Sequence, residues 1–159
     1  MSFAIEISVE AGAWQQFSGA ETIVRRAAEA ALAGTSASGI EIGVVLTDDA
    51  KMRALNRTWR GKDIATNVLS FPAPAGGSTE PRLLGDVVLA YETVAREAAE
   101  QRISARDHLA HLTVHGVLHL LGHDHENDRD AETMESRERE ILARLGVPDP
   151  YARIEAPLV

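Results

Sequence analysis

Three histidines, His115, His119 and His125, fall in the run HGVLHLLGHDH with the spacing H-x3-H-x5-H. Imidazoles so spaced are metal ligands by type and by geometry. On a helix, positions i and i+4 share one face about 6 Å apart along the axis, so the first two rings can aim a nitrogen at one point. Gly122 follows three residues later and accepts the left-handed backbone that ends a helix, which turns the chain back and brings in His125 as a third ligand. Three protein ligands leave one corner of a tetrahedral ion open. That corner is where zinc makes water nucleophilic, so the pattern points to hydrolysis; a structural site would close it with protein. One Zn2+ per chain is the expected cofactor.

The run also matches the metzincin pattern H-E-x-x-H-x-x-G-x-x-H at every fixed position but one. Gly116 stands where the protease keeps its general-base Glu. Without that carboxylate, peptide hydrolysis lacks its proton acceptor, and a peptidase is disfavoured while the metal geometry survives. A second motif is a decoy. From Asp124, DHENDRDAETME sets acidic residues at the spacing of a calcium EF-hand loop, but Arg129 fills the position that must be Gly for the turn.

Other polar residues carry weaker expectations. His111 lies one turn before His115 and reads as a partner of the ligands, an RNA contact or a structural histidine. His108, nearer the helix start, is expected to be solvated, and His123 falls on the turn. Asp124 and Glu126 suit either the ligand imidazoles or the cap of the next helix, and Asp86 is equally ambiguous. Met134, at helical spacing from Ile141 and Leu145, reads as core, and Glu132, Glu135, Glu138 and Glu140 as a solvated acidic face.

Composition limits what such a centre can serve. The 159 residues, 45% hydrophobic and without cysteine, fit one globular domain, 1–159, with its own core; a cysteine zinc finger and a disulfide framework are excluded. The opening MSFAIEISVE has no basic segment or long apolar run, and nothing approaches a membrane span, so the expected compartment is the cytoplasm. Sixteen basic against 24 acidic residues give a net charge of -8, which argues against broad wrapping of nucleic acid. Any RNA contact must be local. Arg57, Arg60 and Lys62, around Gly61, are the local cations available. Arg suits bidentate phosphate binding, although bases at a helix C-terminus also simply complement its dipole.

Periodicity predicts alternating strands and helices. Strands are expected at 3–9, 39–46, 68–71 (ended by Pro72) and 84–91. Helices are expected from Trp14 to Ala33, from a Thr47-Asp48-Asp49 cap to about Trp59, over 93–101, from Ser104 to Leu121 and over 128–145. Ala73 to Arg82 (APAGGSTEPR) reads as a loop, and the tail from Pro148 is unassigned.

Taken together, HLTVHGVLHLLGHDHE, the upstream block LNRTWRGKDIATNVLSFP and the strand LLGDVVLA resemble the YbeY family of metal-dependent endoribonucleases, in order from about Leu55 to Leu145. The resemblance implies an α/β fold in which a small mixed sheet packs against helices, with a metzincin-like three-histidine helix and turn. It implies that His115, His119 and His125 bind a zinc-like ion and that Arg60, in the R-G-K-D block, is the functional arginine, with Arg57 and Lys62 as weaker RNA contacts. The implied activity is cleavage of single-stranded RNA in ribosomal RNA maturation, at the 3′ end of the small-subunit rRNA, and in ribosome quality control. His123 departs from the tyrosine usual there. Two alternatives stand beside this reading: a non-enzymatic ribosome-assembly factor with a structural metal, and a metal hydrolase with another substrate. So small a basic strip requires rRNA structure or a protein partner, a ribosomal protein or another ribonuclease, to choose a cleavage site.

Overall fold

A computed structural model describes residues 3–35, 39–74 and 82–152. The strands are β1 (Phe3–Val9), β2 (Ile40–Thr47), β3 (Val68–Pro72) and β4 (Arg82–Ala90). The helices are α1 (Ala20–Leu32), α2 (Asp49–Arg60), α3 (Tyr91–Gln101), α4 (Ala105–Leu120) and α5 (Asp128–Arg144). The strands form one mixed sheet in the order β1-β2-β4-β3, with β1, β2 and β4 parallel and β3 antiparallel at an edge. Pro72 is tolerated because it closes an edge strand, where one side of the backbone has no neighbour to bond. Most of the predicted loop 73–82, and the last part of the tail, lie outside the described residues.

Strand alternation sorts the side chains into two layers. Ile40, Ile42, Val44 and Leu46 of β2, with Val87 and Leu89 of β4, join the main core with α1, α4 and α5. Val45, Val88 and Ala90 point the other way and meet Met52 and Leu55 of α2. Asp48 begins α2 as the sequence predicts, its carboxylate accepting from the Lys51 N–H at 2.9 Å. The expected helix from Trp14 to Ala33 is instead two pieces, a 3-10 turn over Gly12–Gln16 and α1, separated at Gly19 with φ of 74°. Tertiary contacts override the helical pattern there. The buried Trp14 indole donates to the Thr47 carbonyl at 2.8 Å and meets the Tyr91 ring edge-on, which a continuous helix does not permit.

Helix α4 is the spine of the molecule. Ser104 caps it by accepting from the Asp107 N–H at 3.0 Å, and its side chains are buried on almost every side. From His111 to His119 the partly exposed positions are 111, 115 and 119 alone, so the wet seam of the helix is a row of histidines one turn apart. The opposite side presses on the sheet at Gly116. A Cβ there would lie 2.6 Å from Val87 Cγ1 and 3.3 Å from Ser70 Oγ, and the β-branched valine has little freedom to yield. The residue after the first histidine therefore faces the core. That is why this fold holds glycine where a zincin holds its glutamate.

Gly116→Ala tests this packing. The gain in helix propensity, about 1 kcal/mol, is smaller than the expected overpacking cost of about 1–3 kcal/mol. The urea midpoint should fall, with a net loss of up to about 2 kcal/mol in stability. A raised midpoint would show that α4 has slack against the sheet.

Candidate metal centre

Helix α4 ends where the sequence predicts. Gly122 adopts φ of 101°, its N–H donates to the His119 carbonyl at 3.0 Å, and the His123 N–H donates to the Leu118 carbonyl at 3.0 Å. This paired closure is a Schellman motif, and it reverses the chain so that His125 returns to the seam. Nε2 of His115 and Nε2 of His119 lie 3.2 Å apart. One ligand nitrogen from each of His115, His119 and His125 falls within 4.8 Å of the other two, and no other group of three such ligands exists among the described residues. His115 and His119 are half-buried, and His125 is exposed and closes the outer side.

The electrostatics suit a cation. Burial, then the neighbouring His115 and His125, push the His119 pKa down, which favours the neutral imidazole that ligates. On the other side of His115, Nδ1 lies 3.2 Å from Glu138 Oε2. A carboxylate there fixes the proton on Nδ1 and leaves the Nε2 lone pair for the cluster, the outer contact that metal-binding histidines use. The donor set fits a divalent first-row ion.

Glu138 is the residue that sequence reasoning misplaced. It lies fully buried on α5, and no solvated acidic face includes it. Its Oε1 accepts from His111 Nε2 at 2.7 Å and from the Tyr151 hydroxyl at 2.7 Å. Burial raises its carboxyl pKa, but donors from His111, His115 and Tyr151 outweigh that and hold it at about 2. Burial, and then the bond to Glu138, push the Tyr151 hydroxyl pKa up, so it stays a donor. The signal was in the spacing. Glu138 lies four residues after Met134 and three before Ile141, on the stripe of α5 that enters the core. His111, of undecided role in the sequence, takes its place as the second imidazole on this carboxylate.

The structure corrects one further expectation and leaves others as they were. His108 is buried, not solvated, with Nε2 at 2.9 Å from Glu97 Oε1; that carboxylate also accepts from Asn67 Nδ2 at 2.9 Å. His123 stands outside the trio. Asp124 accepts from the Glu126 N–H at 3.3 Å, and Met134 is buried as expected. Asn127 caps α5 by accepting from the Asp130 N–H at 2.8 Å, so the would-be calcium loop is already helix from Asp128.

Arg60 ends α2 beside the edge of the sheet. Its Nη2 donates to the Ser70 carbonyl at 3.2 Å, and Ser70 Oγ donates to the Gly116 carbonyl at 2.8 Å. One residue thus links Arg60 to the turn of α4 that carries His115. Arg57 faces Asp63 at 3.7 Å, a carboxylate that Arg53 already holds through two bonds of 2.8 and 3.0 Å. The Arg53 hydrogen bond, against an opposing effect of burial, keeps the Asp63 pKa low. Lys62 is exposed, and among the described residues its ammonium has no carboxylate partner.

Glu138→Gln should fold and yet bind Zn2+ about 10- to 100-fold more weakly in chelator competition, because the amide cannot serve all three donors and His115 loses its orientation. His119→Ala should lose tight binding altogether. Unchanged affinity in Glu138→Gln would reduce this carboxylate to a structural role.

Comparison with known proteins gives one consistent result. The family described as Endoribonuclease YbeY matches residues 7–146. The chain is 54% identical over 155 residues to an endoribonuclease YbeY of Rhodopseudomonas palustris (strain BisB18), covering 94% of this chain and 92% of that protein. It is 51% identical over 156 residues to the Nitrobacter hamburgensis endoribonuclease YbeY, covering 94% and 82%. A solution structure of a Thermotoga maritima protein shares the fold, with a TM-score of 0.52 at 22% identity over 92% of this chain and 98% of that one. With its three-histidine cluster on a mixed α/β fold, and with relatives this similar along nearly its whole length, the chain belongs to the YbeY family of endoribonucleases.

Proposed function

We propose that this chain cuts single-stranded RNA in ribosomal RNA processing, at the 3′ end of the small-subunit rRNA and in ribosome quality control, with His115, His119 and His125 holding one Zn2+. The observation that carries this reading is the imidazole trio, with His115 oriented by Glu138, on the one wet seam of a buried helix in a chain of an endoribonuclease family. A divalent ion held there supplies Lewis acidity toward a phosphoryl oxygen and acidifies bound water. Glu138 orients His115 and does not act as a base, since both its oxygens are already engaged by His111, His115 and Tyr151. Arg60 is assigned to the scissile phosphate. One of its five N–H donors anchors it on Ser70, which leaves the fork to bind oxygen and to offset charge that develops there. Lys62 adds a backbone contact, and Arg57 a weaker one because it shares Asp63. The proposed ribosomal substrate supports a cytoplasmic location. So short a basic strip leaves the choice of cleavage site to rRNA structure or to a ribosomal protein or second ribonuclease.

Arg60→Ala separates catalysis from architecture. It removes one hydrogen bond at the sheet edge, so folding and zinc content should be retained, while cleavage of a single-stranded RNA should fall by roughly 100-fold or more. Wild-type cleavage by the variant would return Arg60 to a purely structural role. The salt dependence of binding gives an independent check. Each single-strand phosphate contact contributes about 0.7 to the slope of log affinity against log salt, so two or three cations predict a slope between about -1.4 and -2. A slope steeper than about -5 would require a basic surface assembled elsewhere.

A further inference from the structure

We infer that Trp59 is a stacking platform for an RNA base beside the scissile phosphate, an assignment that rests on the endoribonuclease reading above. Trp59 is 68% exposed although it shares a face of α2 with the buried Met52 and Asn56, at i+7 and i+3. Met52, early in α2, packs with Val88 and Ala90 of β4 and Leu69 of β3, and at the last turn the indole meets Phe71 of the edge strand β3, with ring centroids 6.4 Å apart at 70°. The contact leaves most of the ring open to solvent. Ile64 is also exposed, at 61%, and the Asn56 amide holds its backbone by donating to the Ile64 carbonyl at 3.0 Å.

The surroundings select the occupant. A large apolar side chain left in water is informative when it sits among charges of one sign, and here the neighbours are Arg57, Arg60 and Lys62 in a chain of net charge -8. The nearby carboxylate, Asp63, is committed to Arg53 and Arg57. An aromatic face set in a basic strip is the combination that holds single-stranded nucleic acid, the cations taking phosphates and the ring taking a base of any identity. Trp59 and Arg60 are consecutive. Arg60 is anchored on the Ser70 carbonyl, so a strand whose phosphate is held by Arg60 has its adjoining base within reach of Trp59.

The chain's two tryptophans make the test direct. Trp14 is 3% exposed and Trp59 is open, so fluorescence quenching by added RNA reports on Trp59. The probes are a short cleavage-resistant 2′-O-methyl oligoadenylate and an abasic oligonucleotide of equal length and charge, titrated into the zinc-loaded protein. Oligoadenylate should quench the wild type and bind roughly 5- to 100-fold more tightly than the abasic chain. Trp59→Ala, which should fold normally because the ring is exposed, should bind both probes equally and weakly, and Trp59→Phe should recover part of the base-dependent gain. The inference is overturned if the wild type does not distinguish the two probes, or if Trp59→Ala binds and cuts single-stranded RNA as well as wild type. It is also overturned if that variant loses only self-association in sedimentation. In each of these cases an Arg60→Ala defect still leaves the endoribonuclease reading standing; if metal-loaded wild type neither binds nor cuts any RNA, that reading falls first.

Discussion

Contact between α4 and the sheet at Gly116 fixes the rotation of the central helix, and the geometry of the centre follows from that rotation. With Val87 and Ser70 pressed against one side, Leu112, Thr113 and Leu120 are committed to core, and water reaches the helix along His111, His115 and His119. A larger residue at 116 would turn or lift the helix and move every ligand on it. The same contact accounts for the missing zincin base: the position that a protease devotes to proton transfer is devoted here to close packing.

A buried helix with a polar seam needs something to satisfy the seam from behind, and Glu138 does this. Taking a carboxylate out of water is costly, and it is tolerated because His111, His115 and the Tyr151 hydroxyl surround it with donors. Cohesion and function coincide at this point. The bonds that keep the buried charge acceptable also dock α5 and Tyr151 onto α4, and they set the tautomer of His115. Arg139 lies over the Tyr151 ring at 5.3 Å and holds that ring from outside.

The acidic overall charge and the basic strip are compatible because fields in salt water are local. Beyond about 10 Å, exposed charges are largely screened, so a phosphate close to Arg60 and Lys62 would feel those cations more than it feels distant acids. Ser70 ties the β3 edge to the helix: its carbonyl accepts from Arg60, and its hydroxyl donates to the Gly116 carbonyl.

What the sequence determined by itself was local. The i, i+4 pairing of His115 and His119, the left-handed turn at Gly122, the return of His125 and the caps at Asp48 and Ser104 all depend on neighbours a few residues apart, and a helix enforces such neighbours wherever it forms. The strands and the family were legible for a related reason, since alternation and three ordered motifs are properties of segments; the mixed sheet was implied only by the family resemblance. Tertiary structure decided what lay between segments. Glu138 reaches His115 across 23 positions, and its burial depended on which side of α5 meets α4, although the stripe through Met134 and Ile141 already marked that side. Trp14 left its expected helix for the Thr47 carbonyl 33 positions away, His108 was buried beside Glu97 of α3, and Trp59 was left open on a face of α2 whose Met52 and Asn56 are buried. None of these follows from local periodicity, because whether a side chain meets water or protein depends on where the next element of structure stops.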